Sequence, residues 1–212
     1  MNIDNQKEYW DKVANTKDFT HPLNNSLLTK HLNAQSKILD FGCGYGRITA
    51  QLIDLGFQNV TGFDTSKELI QRGRSNHDLP IFHINDPLNL PVPDESVDCI
   101  LLFAVLTCIP SNKGQQDLID LLFTKLKKGG FIYISDYYLQ ENSDEVKQYT
   151  YLNDNKENYG VFHLAEGATF RHHTKEWIAE LAKDFMIVEQ NEIDVMTMNK
   201  HSAKGFQLFG QK

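Results

Sequence analysis

The chain has 212 residues, which is room for one domain or one domain with an embellishment. Its formal net charge of −7 argues against a large nucleic-acid footprint, which needs clustered Lys and Arg. Cys43, Cys99 and Cys108 lack CxxC or metal-ligand spacing, no apolar run approaches the ~20 residues of a membrane span, and the polar N-terminus has no signal-peptide core. A cytoplasmic protein with reduced thiols, no metal and no membrane partner is expected.

Lys7 to Ala14 fit a short amphipathic helix with Tyr9 and Trp10 near Val13 and Ala14. Two readings stand: a helix capping the sheet edge, or a lid whose aromatics cover a ligand. Phe19-Thr20-His21-Pro22 is a turn, and Leu23 to Leu32 fit a second helix. Ile38-Leu39-Asp40-Phe41 then runs into Gly42-Cys43-Gly44-Tyr45-Gly46-Arg47, followed at once by a helical pattern from Ile48 to Ile53. This is strand, tight turn, helix. Glycines at alternate positions let the backbone approach a ligand, and the following helix offers unpaired N–H groups. The dinucleotide fingerprint is G-x-G-x-x-G; here Arg47 stands where its third glycine would be. The turn alone leaves two cofactors open, and a plain βα turn besides.

Asn59 to Asp64 predict a second strand ending in an acid, 24 residues after Asp40. An acid there accepts hydrogen bonds from ribose hydroxyls in doubly wound sheets. The other reading, a helix N-cap, is filled by Ser66 before Lys67 to Ile70. Pro80 to Asp86 predict a third strand ending in Asn85-Asp86. Val97 to Phe103 is a near-continuous apolar run, as a strand buried on both faces requires, with Phe103 and Ala104 at its ligand-facing end. Asp98 lies at its start and reads as structural. Asn112 to Lys128 carry an apolar helical face, the cluster Lys125-Leu126-Lys127-Lys128 complements the helix C-terminus, and Gly129-Gly130 stop it. Phe131 to Asp136 predict a fifth strand. Residues 137 to 173 form a polar, aromatic insertion, placed where substrate recognition falls. Thr174 caps a helix over Lys175 to Asp184, and Phe185 to Val195 and Lys204 to Gln211 predict two closing strands.

In this order the motifs resemble class I S-adenosylmethionine-dependent methyltransferases of the small-molecule type. The resemblance rests on Asp40 with Gly42-x-Gly44-x-Gly46, on Asp64, and on Leu90-Pro91-Val92-Pro93-Asp94-Glu95-Ser96-Val97-Asp98. It rests also on Leu126-Lys127-Lys128-Gly129-Gly130, with Lys128 where the family usually has proline, and on the closing strand pair. It covers residues 36 to 212. The resemblance implies an α/β, Rossmann-like three-layer sandwich with a seven-stranded, mostly parallel sheet and an antiparallel last strand. Residues 1–35 would be a helical arm or lid and residues 36–212 the cofactor-binding domain, with the substrate-side insertion at about 137–173. It implies S-adenosylmethionine as cofactor, S-adenosylhomocysteine as product and a small-molecule acceptor. The cofactor residues would be Asp40, Gly42, Cys43, Gly44, Gly46, Asp64, Thr65, Asn85, Asp86, Phe103 and Ala104.

A general base is needed only if the acceptor atom must lose a proton. Candidate bases are His21, His83, His163, His172 and His173; the pair His172 and His173 beside Arg171 is singled out as catalytic, against a bland reading as loop or capping residues. Arg171 would clamp an anionic substrate, and Tyr9, Trp10, Tyr137, Tyr138 and Phe162 would supply an aromatic wall. Adjacent histidines share no metal geometry, so no metal is expected. The alternative is a non-catalytic S-adenosylmethionine-binding sensor or subunit. A monomer or homodimer is expected, without nucleic acid.

Overall fold

The structure, a computed structural model, describes residues 6–76, 78–141, 148–152 and 158–212. Parts of the 137–173 insertion therefore lie outside the described residues. In chain order the elements are α1 (Lys7–Val13), α2 (Asn25–His31), β1 (Lys37–Phe41), α3 (Arg47–Asp54), β2 (Asn59–Asp64), α4 (Lys67–Asn76), β3 (Ile81–His83) and β4 (Val97–Phe103). A short 3-10 turn, Leu106–Cys108, leads to α5 (Asn112–Lys125) and β5 (Leu126–Tyr137). The hairpin strands β6 (Val161–His163) and β7 (Thr169–Arg171) follow, then α6 (Lys175–Leu181), β8 (Met186–Met196) and β9 (Ser202–Gln211).

Seven strands form one sheet in the order β3-β2-β1-β4-β5-β9-β8. The pairs from β3 through β5 are parallel, and β9 runs antiparallel to both β5 and β8. The expected Rossmann-like sheet is thus present, with the last strand in sequence inserted one place from the edge. Because side chains alternate across a strand, β4 divides the core in two. Ile100 and Leu102 pack with Leu118, Leu122, Ile178 and Leu181 of α5 and α6. Cys99 and Leu101 pack with Leu27, Leu28, Ile48 and Leu52 of α2 and α3. Both faces are covered, which is why β4 reads as an unbroken apolar run.

Local chemistry sets the ends of the elements. Asn24, Ser111 and Thr174 cap α2, α5 and α6 through their side chains. Asp98 accepts the N–H of Lys37 at 2.8 Å and pairs with Lys127 at 2.7 Å, a structural role away from the ligand edge. Among the boundaries that differ from the sequence expectation are those of α5 and β3. The helix before β5 stops at Lys125, and buried Leu126 already pairs with Val97. A register shift between the Leu126 and Phe131 pairings then absorbs Lys127 to Gly130. β3 is only three residues, because the chain turns at Asp86, whose carbonyl accepts from Asn89 N at 3.0 Å. Among the described residues no helix is long and apolar enough to cross a membrane.

Gly73 lies in α4 against the glycine turn, and a Cβ there would overlap the Tyr45 carbonyl oxygen. Alanine would gain about 1 kcal/mol of helix propensity. The clash is with backbone, which cannot rotate away. Gly73→Ala is therefore expected to lower the free energy of unfolding by about 1–2 kcal/mol, read from urea denaturation.

Candidate active site

A cavity of about 690 Å³ opens where the carboxyl ends of β1, β2 and β4 meet. Its volume lies within the ~300–1,000 Å³ typical of small-molecule sites. One end is built by the glycine turn. Gly42, Gly44 and Gly46 have φ of +70°, +55° and +81°, so the turn coils through the left-handed region. Asp64, at the end of β2, accepts Gly44 N at 2.8 Å and Ser66 N at 2.7 Å. Burial raises its carboxyl, and the backbone N–H groups oppose that shift. A carboxylate has about four lone-pair sites, so Asp64 keeps acceptor capacity toward the cavity it lines. Phe63, Leu69, Ile84 and Pro87 form apolar walls beside it. At the end of β4, Ala104 sits at φ +55°, held by its N–H to Ser135 O at 2.8 Å. A non-glycine residue in this region is strained, a feature that clusters at ligand sites.

The N-terminal arm forms the roof. Trp10, Phe19, Thr20 and His21 line the cavity from above. The Phe19 ring stacks on Tyr45 at 5.0 Å and 12° and fills the space over Gly44, where a Cβ would collide with it. Arg72 lies 4.0 Å over the Tyr45 ring and donates to the carbonyls of Ala14 and Lys17 at 2.8 Å each. Asp11 of α1 accepts from Ser66 Oγ at 2.7 Å and Glu68 N at 3.2 Å, docking the arm onto the start of α4. Gln6 reaches Cys108 O at 2.9 Å and bonds both backbone groups of Thr169.

The far end is aromatic. Tyr137, Tyr149, Phe162, Phe170 and His172 line it with Trp10. His172 stacks on Tyr137 at 5.0 Å, and its Nδ1 lies 2.6 Å from the Tyr149 hydroxyl. His21 meets Tyr137 edge-on at 4.5 Å and bonds Ser135 Oγ through Nδ1 at 3.0 Å. Burial pushes both imidazoles down to about 3, with Arg47 adding to the effect at His21, so both are neutral at pH 7.

Several expected site residues lie elsewhere. Asp40 sits beneath the turn, where its carboxylate accepts from Thr49 Oγ1 at 2.7 Å and burial raises it to about 6. Cys43 and Gly46 face Gly62, Leu79 and Ile81 rather than the cavity. Asn85 and Asp86 are exposed, and Asp86 Oδ1 accepts from Leu88 N at 2.9 Å; Ile84 and Pro87 reach the cavity in their place. Tyr9 lies a layer behind, edge-on to Phe170. Tyr138 points into the core against Phe206. Arg171 is buried and does not line the cavity: it donates to Tyr159 O, Pro110 O and Asn112 Oδ1 at 3.2, 3.2 and 2.5 Å. His173 is fully buried between Tyr137 O at 3.0 Å and Gln115 Nε2 at 2.9 Å, so it cannot serve as a base for a ligand.

Alternation explains three of these placements. Along an extended chain Tyr137 and His172 face the cavity, so Tyr138, Arg171 and His173 must face away. Gly42, Asp64, Thr65, Phe103, Ala104, Trp10, Tyr137, Phe162 and His172 do line the cavity. Of the other candidate bases, His83 and His163 are absent from it and His21 is present. Tyr149, Phe19 and the β8–β9 connection (Thr197, Met198, Asn199 and His201) also line it, and the motif reading did not single them out. The connection could have been found: a last strand inserted beside β5 makes β8 run parallel to it, which brings this loop to the ligand edge. Among the described residues no group of three or more His, Cys, Asp or Glu is arranged for a metal.

A mixed sheet of this order, with a glycine turn and an acid at the end of β2, defines the S-adenosylmethionine-dependent methyltransferase fold. The sequence model of the methyltransferase domain matches residues 32–202, and the chain belongs to that family. An S-adenosylmethionine-dependent methyltransferase from Methanosarcina mazei is similar in structure, with a TM-score of 0.79 and 25% identity over 88% of this chain and 96% of that one. A 1,6-didemethyltoxoflavin-N1-methyltransferase from Burkholderia thailandensis, with bound 1,6-didemethyltoxoflavin and S-adenosylhomocysteine, shares the fold at a TM-score of 0.63 and 17% identity, over 89% of this chain and 76% of that one. Ribosomal protein L11 methyltransferase from Shewanella halifaxensis (strain HAW-EB4) is 29% identical over 112 residues, 53% of this chain and 37% of the relative. The chain thus spans well under half the length of the curated relatives it matches.

The site's residues fit this cofactor. Asp64 has acceptor capacity left, apolar walls stand beside it, and the glycine turn closes one end.

His173 offers a test of its structural role. Burial holds its imidazole at about 3, whereas an unfolded histidine titrates near 6.5. The unfolded state therefore binds the extra proton between these values, and stability from this group is lost as pH falls below 6.5. His173→Gln removes the term. The variant is expected to be less stable than wild type at pH 8, with the gap narrowing by about 1.4 kcal/mol per pH unit below pH 6.5 in denaturation series.

Proposed function

We propose that the chain transfers the methyl group of S-adenosylmethionine to a small-molecule acceptor. Residues 1–35 act as the lid and residues 36–212 as the cofactor-binding domain. The observation that carries this reading is one roofed cavity with Asp64 at one end and His172 at the other. Bound there, the cofactor supplies an electrophilic methyl group on a sulfonium and leaves as S-adenosylhomocysteine.

The chain's own residues then bind, orient and shield. Asp64 takes the ribose hydroxyls through charge-assisted bonds. Phe63, Leu69, Ile84 and Pro87 flank the adenine, and Gly42, Phe103 and Ala104 border the methionine part. The roof keeps water out and holds the acceptor close to the methyl carbon, where proximity supplies much of the rate. In the tautomer with its proton on Nδ1, His172 donates to Tyr149, and Nε2 keeps a lone pair that accepts a hydrogen bond from the acceptor molecule and aims its reacting atom at the methyl carbon.

The Shewanella relatives are named for a ribosomal protein, but their likeness covers about half of this chain. A roof fastened at Gln6, Asp11 and Arg72 favours an acceptor small enough to be enclosed over a side chain presented by a large partner.

Incubating the protein with S-adenosylmethionine and a fractionated metabolite extract should release S-adenosylhomocysteine. Cofactor binding without turnover across all fractions would instead favour a sensor. Asp64→Ala should weaken S-adenosylhomocysteine binding by about 1.5–3 kcal/mol in calorimetry, the range for bonds to a charged group. Unchanged affinity would reduce Asp64 to a strut of the turn. His172→Gln should lower kcat by about 10²-fold through misplacement of the acceptor while sparing cofactor affinity; the opposite pattern would place His172 in the cofactor half.

A further inference from the structure

We infer that the acceptor is an uncharged aromatic molecule with one hydrogen-bonding group, received by His172 under the control of Tyr149. The inference deepens the methyl-transfer reading and rests on it.

Charge is the first constraint. Among the described lining residues the only Asp, Glu, Lys or Arg are Asp64 and Arg47, both at the glycine-turn end. Arg47 donates to His21 O at 2.6 Å and keeps a buried, unpartnered Nε, so its spare donors stay at the glycine-turn end, away from His172. Nearby ions are also engaged. Arg171 is turned toward Pro110 and Asn112, and Asp136 is held by the N–H groups of Thr107 and Tyr137 on the inner side of the sheet. Lys17 pairs with Glu166 at 3.1 Å. At the His172 end a carboxylate or ammonium on the acceptor would lose its water and find no counter-ion among the described residues.

Shape is the second. Phe162 meets His172 edge-on at 4.8 Å, Tyr149 meets it edge-on at 5.6 Å, and Trp10 meets Phe170 at 5.9 Å and 61°. These walls offer alternating ring faces and edges, which a flat ring continues by stacked and edge-on contacts that a saturated ring of equal size cannot make.

The third constraint is orientation. Tyr149 accepts Gln140 N at 3.1 Å, and Gln140 is tied to β9 through both backbone groups of Lys204. Tyr149 therefore fixes Nδ1 of His172 and leaves Nε2 as the polar atom of that ring for a ligand. Tyr149 acts as a positioning residue.

The test is calorimetry on protein saturated with S-adenosylhomocysteine, using one- and two-ring aromatics paired with carboxylate-bearing and saturated analogues. 2-Naphthol, 2-naphthoate and decahydro-2-naphthol form one such set. Neutral aromatics should bind at least about tenfold tighter than either analogue. Carboxylates or saturated rings binding equally well would overturn the inference, as would a panel in which no neutral aromatic binds. Tyr149→Phe should shift the pKa of bound 2-naphthol, read from its ultraviolet spectrum, while retained S-adenosylhomocysteine affinity reports a folded variant. An unshifted pKa would remove Tyr149 from the pair. Failure of the unliganded protein to bind S-adenosylhomocysteine would fault the methyl-transfer reading itself, a separate result.

Discussion

The Asp64 carboxylate accepts the N–H of Gly44 through one oxygen and that of Ser66 through the other. Two turns separated by a strand and a helix are thereby registered on a single side chain. The Ser66 hydroxyl in turn donates to Asp11, which fastens the arm to the same corner. Each bond to an ionised carboxylate is stronger than a neutral one, and in a half-buried site it is little screened. The glycine turn, the start of α4 and the roof are thus held to one charge. Loss of that charge would loosen three boundaries of the cavity together.

The arm depends on that corner and on an aromatic stack. Arg72 and Phe19 both pack on Tyr45, the guanidinium 4.0 Å from the ring centroid and the Phe19 ring stacked at 5.0 Å. The stack puts an apolar lid over Gly44, which has no side chain of its own. Cation–π and ring contacts of this kind contribute about 0.5–2 kcal/mol each, enough to bias the lid closed and too little to lock it.

The parts legible in the sequence were those fixed by local rules. The glycine turn, the acid closing β2, the apolar run of β4 and the cap at Thr174 each follow from a few neighbouring residues. The far end was legible only in part. Arg171, His172 and His173 are consecutive, and three adjacent polar residues look like one site. An extended backbone sends them to alternate faces, so only His172 reaches the cavity. Tyr137 and Tyr138 separate in the same way. Tyr149 and Phe19 come to the site from distant positions in the chain, through contacts that no spacing rule encodes.

Placing β9 between β5 and β8 has a colloidal consequence. It leaves β8 as the outermost strand, eleven residues long, with Met186, Ile187 and Val188 exposed. Such a border is a template for sheet growth between molecules. Here the strand also carries Glu189, Glu192 and Asp194, and its ladder slips register between Ile187 and Glu189. A second copy aligning edge to edge would have to desolvate the charged pairs Lys175–Glu192 and Lys204–Asp194, and the bulge would spoil its hydrogen-bond register. The border that the topology exposes is thus guarded against fibrous self-association.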